Sequence, residues 1–178
     1  MIVLFLFLVP LIGGLASFFL KNDAAVRRWA LFISLATLAL SVVGNFMLPA
    51  ADALRFSTSW LGSIGSSFSL RLDGLSQLLC LLTAIAYPII FVSTWKSDYK
   101  KPNNFFGLML LTQAGLMGVF TATDALLFYF FWELALVPMY FLCSGWGGEK
   151  RIPVTFKFFI YTFTASVIML IGLVKKNA

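Results

Sequence analysis

The sequence predicts an all-α membrane protein with six transmembrane helices, on three observations. Hydrophobic residues make up 61% of the 178-residue chain and charged residues only 11%. A soluble domain carries roughly 25% charged residues to cover its surface, so lipid must replace the missing polar surface. Six apolar runs approach or exceed the roughly 20 residues that cross a hydrocarbon core at about 1.5 Å rise each. The 13 Lys and Arg behind the net charge of +6 sit mostly at the ends of those runs. That placement marks membrane flanks rather than a nucleic-acid surface.

The first run, residues 2–20, has its first charge at Lys21. It lacks the basic start of a signal peptide and is longer than the usual apolar segment of one, so it reads as a retained helix. The second run covers 29–48 and is followed by the one long connection, the external loop 49–74. Within that loop Ser67, Phe68, Ser69, Leu70, Arg71 and Leu72 alternate polar and apolar, which predicts an extended segment. Asp73-Gly74 then predicts a turn and cap into the third helix, 75–95. The fourth, fifth and sixth helices are predicted at 104–122, 125–146 and 154–174. These six helices and the loop make one transmembrane region covering 1–178. Pro10 and Pro88 read as tolerated kinks.

Counting Lys and Arg in the connections gives the orientation. Lys21, Arg27, Arg28, Lys96, Lys100, Lys101, Lys150 and Arg151 lie on one side; Arg55, Arg71, Lys175 and Lys176 lie on the other. The richer side is predicted to be cytoplasmic, which puts the N-terminus outside.

Chemistry is concentrated in few side chains. The chain has no His, so no His-ligated haem or Cys/His zinc site is available. No glycine-rich phosphate loop occurs. Cys80 and Cys143 fall within apolar runs and read as small buried hydrophobes. Glu133 is the exception in a fifth helix that is otherwise mostly apolar. It lies about 12 Å from one end of the run and about 20 Å from the other, too deep to snorkel easily. A charged acid near the bilayer centre costs about 2.5–3.5 kcal/mol, and such groups are usually functional. Glu133 is therefore the candidate proton-binding group, the bland alternative being a neutral acid bonded to another helix. Pro138 cannot donate to the carbonyl of Leu134, which leaves a second polar atom beside Glu133. Lys157 is the second candidate. It lies about 6 Å into the sixth helix, roughly 14 Å from Glu133 in depth, so communication requires intermediates. Thr164 and Ser166 lie near Glu133's level, and Thr162, Tyr161 and Gln113 between the two levels.

The stretch Phe130-Phe131-Trp132-Glu133-Leu134-Ala135-Leu136-Val137-Pro138-Met139-Tyr140-Phe141-Leu142 resembles the fifth helix of the M subunit, or chain 4, of respiratory complex I, the proton-translocating NADH-quinone oxidoreductase. Leu72-Asp73-Gly74-Leu75-Ser76, Asp124, Gly147-Gly148 and Lys157-Phe158-Phe159-Ile160-Tyr161-Thr162 support the match. The resemblance implies part of an antiporter-like 14-helix fold, of which the six N-terminal helices are present. It implies proton translocation coupled to electron transfer from NADH to quinone, with Glu133 at the carboxylate position and Lys157 at a lysine position. It implies partner membrane subunits of the L and N types, with NADH, flavin, iron-sulfur clusters and quinone bound by partners and no cofactor bound by this chain. The family's partner lysine belongs to a broken seventh helix, and Val174 to Ala178 departs from the family's continuation, which predicts a truncated chain. The resemblance implies a bacterial inner membrane location. Two other readings stay open: a subunit of a multisubunit cation/proton antiporter, and a structural membrane subunit that does not pump.

Overall fold

The computed structural model describes residues 2–46, 54–61 and 66–177. In chain order it contains α1 (Ile2–Ser17), α2 (Asp23–Phe46), β1 (Arg55–Leu61), β2 (Ser66–Arg71), α3 (Gly74–Ser93), α4 (Pro102–Thr121), α5 (Ala125–Trp146) and α6 (Arg151–Asn177). Helices α2 to α6 are long and apolar enough to cross a membrane, and α1, with 16 residues, is shorter.

Hydropathy locates the lipid-crossing part of each helix rather than the helix itself. Thus α2 starts at Asp23 instead of residue 29, because the Asn22 side chain accepts the Ala24 N–H at 3.0 Å and opens the helix among its charged residues. Its predicted end at residue 48 lies outside the described residues, as do positions 49–53 and 62–65 of the long loop. Helix α6 likewise begins at Arg151, ahead of its apolar run. Helix α1 closes early. The N–H groups of Phe18, Phe19 and Leu20 donate three residues back, to Leu15, Ala16 and Ser17, in tight turns before Lys21.

Helix α1 packs into the bundle along α4. At their crossing a Cβ on Gly14 would lie 3.0 Å from the Gly107 carbonyl oxygen, so the glycine lets the backbones approach. The core they build includes fully buried Val3, Leu6, Ala114, Met117, Leu127 and Phe131, with Phe7 edge-on to Phe131 at 4.8 Å. Helices α2 and α3 close the other side of α4 through Val26, Ala30, Phe91, Phe106 and Leu110.

The extended segment anticipated near 67–72 is half of an antiparallel hairpin. Phe56 pairs with Leu70 and Thr58 with Phe68, and the register shifts between Ser59 and Leu61. The partner strand β1 was not anticipated. The hairpin lies across the junction of α4 and α5, where Thr123 N–H donates to the Ser69 carbonyl at 3.1 Å and Leu70 bridges Ala122. At the opposite end Arg27 donates to the carbonyls of Trp95 and Ser97, and Trp146 Nε1 donates to the Lys100 carbonyl at 3.0 Å. These contacts gather the three Lys/Arg-rich connections at one end of the bundle and the hairpin at the other.

Candidate functional site

Helix α5 starts from a cap that also holds the hairpin. Asp124 Oδ1 accepts the N–H groups of Leu126 at 2.9 Å and Leu127 at 3.1 Å, the usual work of an N-cap. The same oxygen accepts the Ser66 hydroxyl at 2.9 Å, and Oδ2 accepts the Ser67 N–H at 3.4 Å. Burial pushes the Asp124 carboxyl up, but the Leu127 N–H, the Ser66 hydroxyl and the N–H groups of Ser67 and Leu126 outweigh it. The group is held below the ordinary carboxylate range. Asp73 caps α3 in the same way, accepting the Ser76 N–H at 2.8 Å, and that bond is the main reason its carboxyl is also held below the ordinary carboxylate range.

Close approach of α4 fixes α5 laterally. A Cβ on Gly115 would lie 2.7 Å from the Ala135 backbone, and one on Gly118 would fall within the Phe131 ring. Leu127, Phe131, Pro138 and Leu142 are buried on this contact face. Glu133 follows Phe131 by two residues, roughly 200° around the helix at about 100° each, so it leaves the core face and meets α6.

There Glu133 Oε1 lies 2.6 Å from Ser166 Oγ, and Ser166 Oγ also lies 2.9 Å from the Phe163 carbonyl oxygen. Ser166 is 4% exposed, on an α6 that otherwise presents mostly exposed side chains. The depth argument thus placed Ser166 correctly, whereas Thr164 is exposed and does not join the pair.

Lys157 is exposed and stands nine residues before Ser166 on α6, about 13–14 Å along the helix. The structure therefore does not bring the two sequence-predicted site residues together. Between them Tyr161 is exposed, and the Thr162 hydroxyl bonds the Phe158 carbonyl of its own helix at 2.9 Å. Gln113 faces away from this route, on the α4 face it shares with Leu110 and Met117, fully buried. The signal for Asp124 was present in the sequence as an acid directly before an apolar run. Its grip on the hairpin was not, because the partners Ser66 and Ser67 lie 58 and 57 residues away.

Among the described residues no three His, Cys, Asp or Glu side chains gather into a metal-binding group.

Residues 122–175 match the family described as the transmembrane region of NADH:quinone oxidoreductase and Mrp antiporter subunits. Subunit M of the F420H2 dehydrogenase of Methanosarcina mazei is 43% identical over 94% of this chain and 34% of its own length. Subunit M of the NADH-quinone oxidoreductase of Escherichia coli is 37% identical over 97% of this chain and 37% of its own. A chain of respiratory complex I from Thermus thermophilus superposes with a TM-score of 0.81 at 28% identity, over 96% of this chain and 34% of that one. A chain of the Mrp complex from a Dietzia species shares the fold, with a TM-score of 0.77 at 18% identity over 96% of this chain and 19% of that one. A multi-pass helical bundle with an acid on its fifth helix is similar to antiporter-like membrane subunits. The curated relatives it matches are of the M type, called subunit M or chain 4. It spans about a third of the length of the curated relatives it matches.

Proposed function

We propose that the chain acts in the membrane arm of a redox-driven proton translocase of the NADH-quinone oxidoreductase type, with Glu133 as a proton-binding site. The observation that carries this reading is the carboxyl on α5, about 12 Å from the hairpin end, held 2.6 Å from a buried hydroxyl, with no charged group bonded to it among the described residues. Lys157, nearer the Lys/Arg-rich end, has its place at the mouth of the path, where its long stem lets the ammonium reach water. The redox step belongs to partner subunits, which bind the electron donor, the flavin, the iron-sulfur clusters and the quinone. Antiporter-like subunits of the L and N types are the expected neighbours in the bilayer. The Lys/Arg-rich end faces the cytoplasm, and the N-terminus faces outside, in a bacterial inner membrane.

The identity of 43% to an F420H2 dehydrogenase subunit favours a second reading, in which the donor to the same kind of membrane arm is F420H2 rather than NADH. The proton-binding role of Glu133 is the same in both.

The test is Glu133→Gln in the assembled complex. Glutamine keeps the shape and accepts the Ser166 hydroxyl but exchanges no proton. Electron-coupled proton pumping is expected to fall severely while the complex still assembles. Near-normal pumping per electron pair in assembled mutant complex would refute the role.

A further inference from the structure

We infer that Ser166 is a positioning residue for the proton on Glu133, one that supplies a hydrogen-bond partner in both charge states; this rests on reading Glu133 as the proton-binding group. Its hydroxyl oxygen sits 2.6 Å from Glu133 Oε1 and 2.9 Å from the Phe163 carbonyl oxygen, and a hydroxyl has one hydrogen to give. Two arrangements satisfy this geometry without moving a heavy atom. With Glu133 ionised, Ser166 donates to the carboxylate. With Glu133 protonated, the carboxylic acid donates to Ser166 Oγ, and Ser166 turns its hydrogen to the Phe163 carbonyl. That carbonyl faces the N–H of Val167 as the ordinary i→i+4 acceptor of α6, so it is not orphaned when Ser166 turns away. The proton that leaves Glu133 is replaced by the hydrogen Ser166 already holds, and only one torsion changes.

This matters because the elements around Glu133 offer little else to stabilise a charge. Helix α4 carries no titratable side chain. Helix α5 carries Tyr129, Tyr140 and Cys143; on α6, Lys157 and Lys175 each stand nine residues from Ser166, about 13–14 Å along the helix, with Arg151 and Lys176 farther off and Tyr161 exposed; β2 carries Arg71 at the outer end. Ser166 is thus the side chain bonded to the carboxylate within the described residues. Removing it withdraws the hydrogen-bond partner that the carboxyl keeps in both charge states.

The experiment is infrared difference spectroscopy of the carboxyl C=O band in the assembled complex in lipid, assigned to Glu133 by its loss in Glu133→Gln, with electron-coupled pumping measured alongside. Ser166→Ala is expected to shift the band of the protonated acid toward that of a carboxylic acid without a hydroxyl partner and to slow pumping several-fold. Ser166→Thr keeps the hydroxyl and is expected to restore both to near the wild-type values. A Glu133 band at an unchanged position in Ser166→Ala overturns the positioning role and leaves the proton-binding reading standing. So does a threonine variant that behaves like alanine. A Glu133→Gln complex that pumps normally overturns both.

Discussion

Replacing Asp124 by alanine removes one carboxylate that four donors share, and the structure separates its two functions. As the N-cap of α5 it accepts the N–H groups of Leu126 and Leu127, a loss worth about 1 kcal/mol within a range of 0.5–2. As the hairpin anchor it accepts the Ser66 hydroxyl at 2.9 Å and the Ser67 N–H at 3.4 Å. Ser66 is 5% exposed, so its hydroxyl loses a charged partner with little water to replace it, which adds about 1.5–3 kcal/mol. The longer Ser67 bond adds little. The whole change is therefore expected at about 3 kcal/mol, unevenly divided: β2 is released more than α5 is unwound. Asp124→Asn keeps one acceptor oxygen and loses the charge, and about 1 kcal/mol is the expected cost. The assay is amide hydrogen exchange in lipid, resolved to residues 66–71 and 125–128. Faster exchange in β2 with a smaller effect in the first turn of α5 is the expected pattern. Unchanged exchange in β2 would show that the anchor carries no energy.

The same bonds give a pH dependence with a definite sign. Asp124 is held below its ordinary 3.8 in the folded protein, so below that value the unfolded chain takes up the proton first. The stabilisation is complete above about 3.8 and is lost as pH falls through the lower folded value. Protection of β2 should fade in that acid window, and in Asp124→Asn that fading should disappear.

Other perturbations follow from packing and depth. Gly115→Leu places a branched side chain where a Cβ alone would be 2.7 Å from the Ala135 backbone, and a loss of about 1–3 kcal/mol in thermal unfolding is expected. Gly145→Ala, with nothing within 4 Å, should leave the melting point unchanged or raised; a similar fall in both would refute the close-approach argument. Gln113 buries both amide atoms without a partner among the described residues, so Gln113→Leu should be neutral or stabilising, and a clear drop in melting temperature would show that the amide is bonded in the membrane. The 178-residue chain reconstituted alone in liposomes should give no proton flux above empty vesicles, since no cation stands at the depth of Glu133; flux abolished by Glu133→Gln would overturn this.

What was legible in the sequence is what a single helix or a single loop determines. The apolar runs located the spans because lipid acts on each helix separately, and Asp73 announced its cap because its acceptor bond reaches only three residues on. Helix ends at charged residues were misjudged, since backbone bonding continues through the headgroup region where hydropathy has already fallen. The β1 strand was missed because Arg55 to Leu61 gains its register only from β2 and the α4–α5 junction. Depth counting placed Ser166 near Glu133 but could not choose it over Thr164. That choice depends on which face of α6 turns toward α5. Family resemblance supplied Lys157, and geometry keeps it about 13–14 Å from Ser166 along α6.

The direction in which Glu133 points limits where its proton can travel. Its helix turns Leu127 and Phe131, both with zero exposure, toward α1 and α4, and Phe7 and Phe68 close on Phe131 from the far side. The α5 residues on that face, Leu127, Phe131, Pro138 and Leu142, are apolar and offer a proton no hydrogen-bonded route of their own. Glu133 lies on the opposite side, against α6, the least buried of the five spans. On the reading of Glu133 as the proton-binding group, proton exchange is expected at the α5–α6 edge, with helices α1 to α3 as a fixed wall rather than part of the path. A polar substitution in that wall, such as Ala114→Ser, is expected to leave pumping unchanged in the assembled complex. One on the α6 edge beside Ser166, such as Ala165→Leu, is expected to slow it by narrowing the recess that Phe128, Trp132, Thr162 and Ser166 line. Equal sensitivity of pumping to both changes would show that the wall conducts.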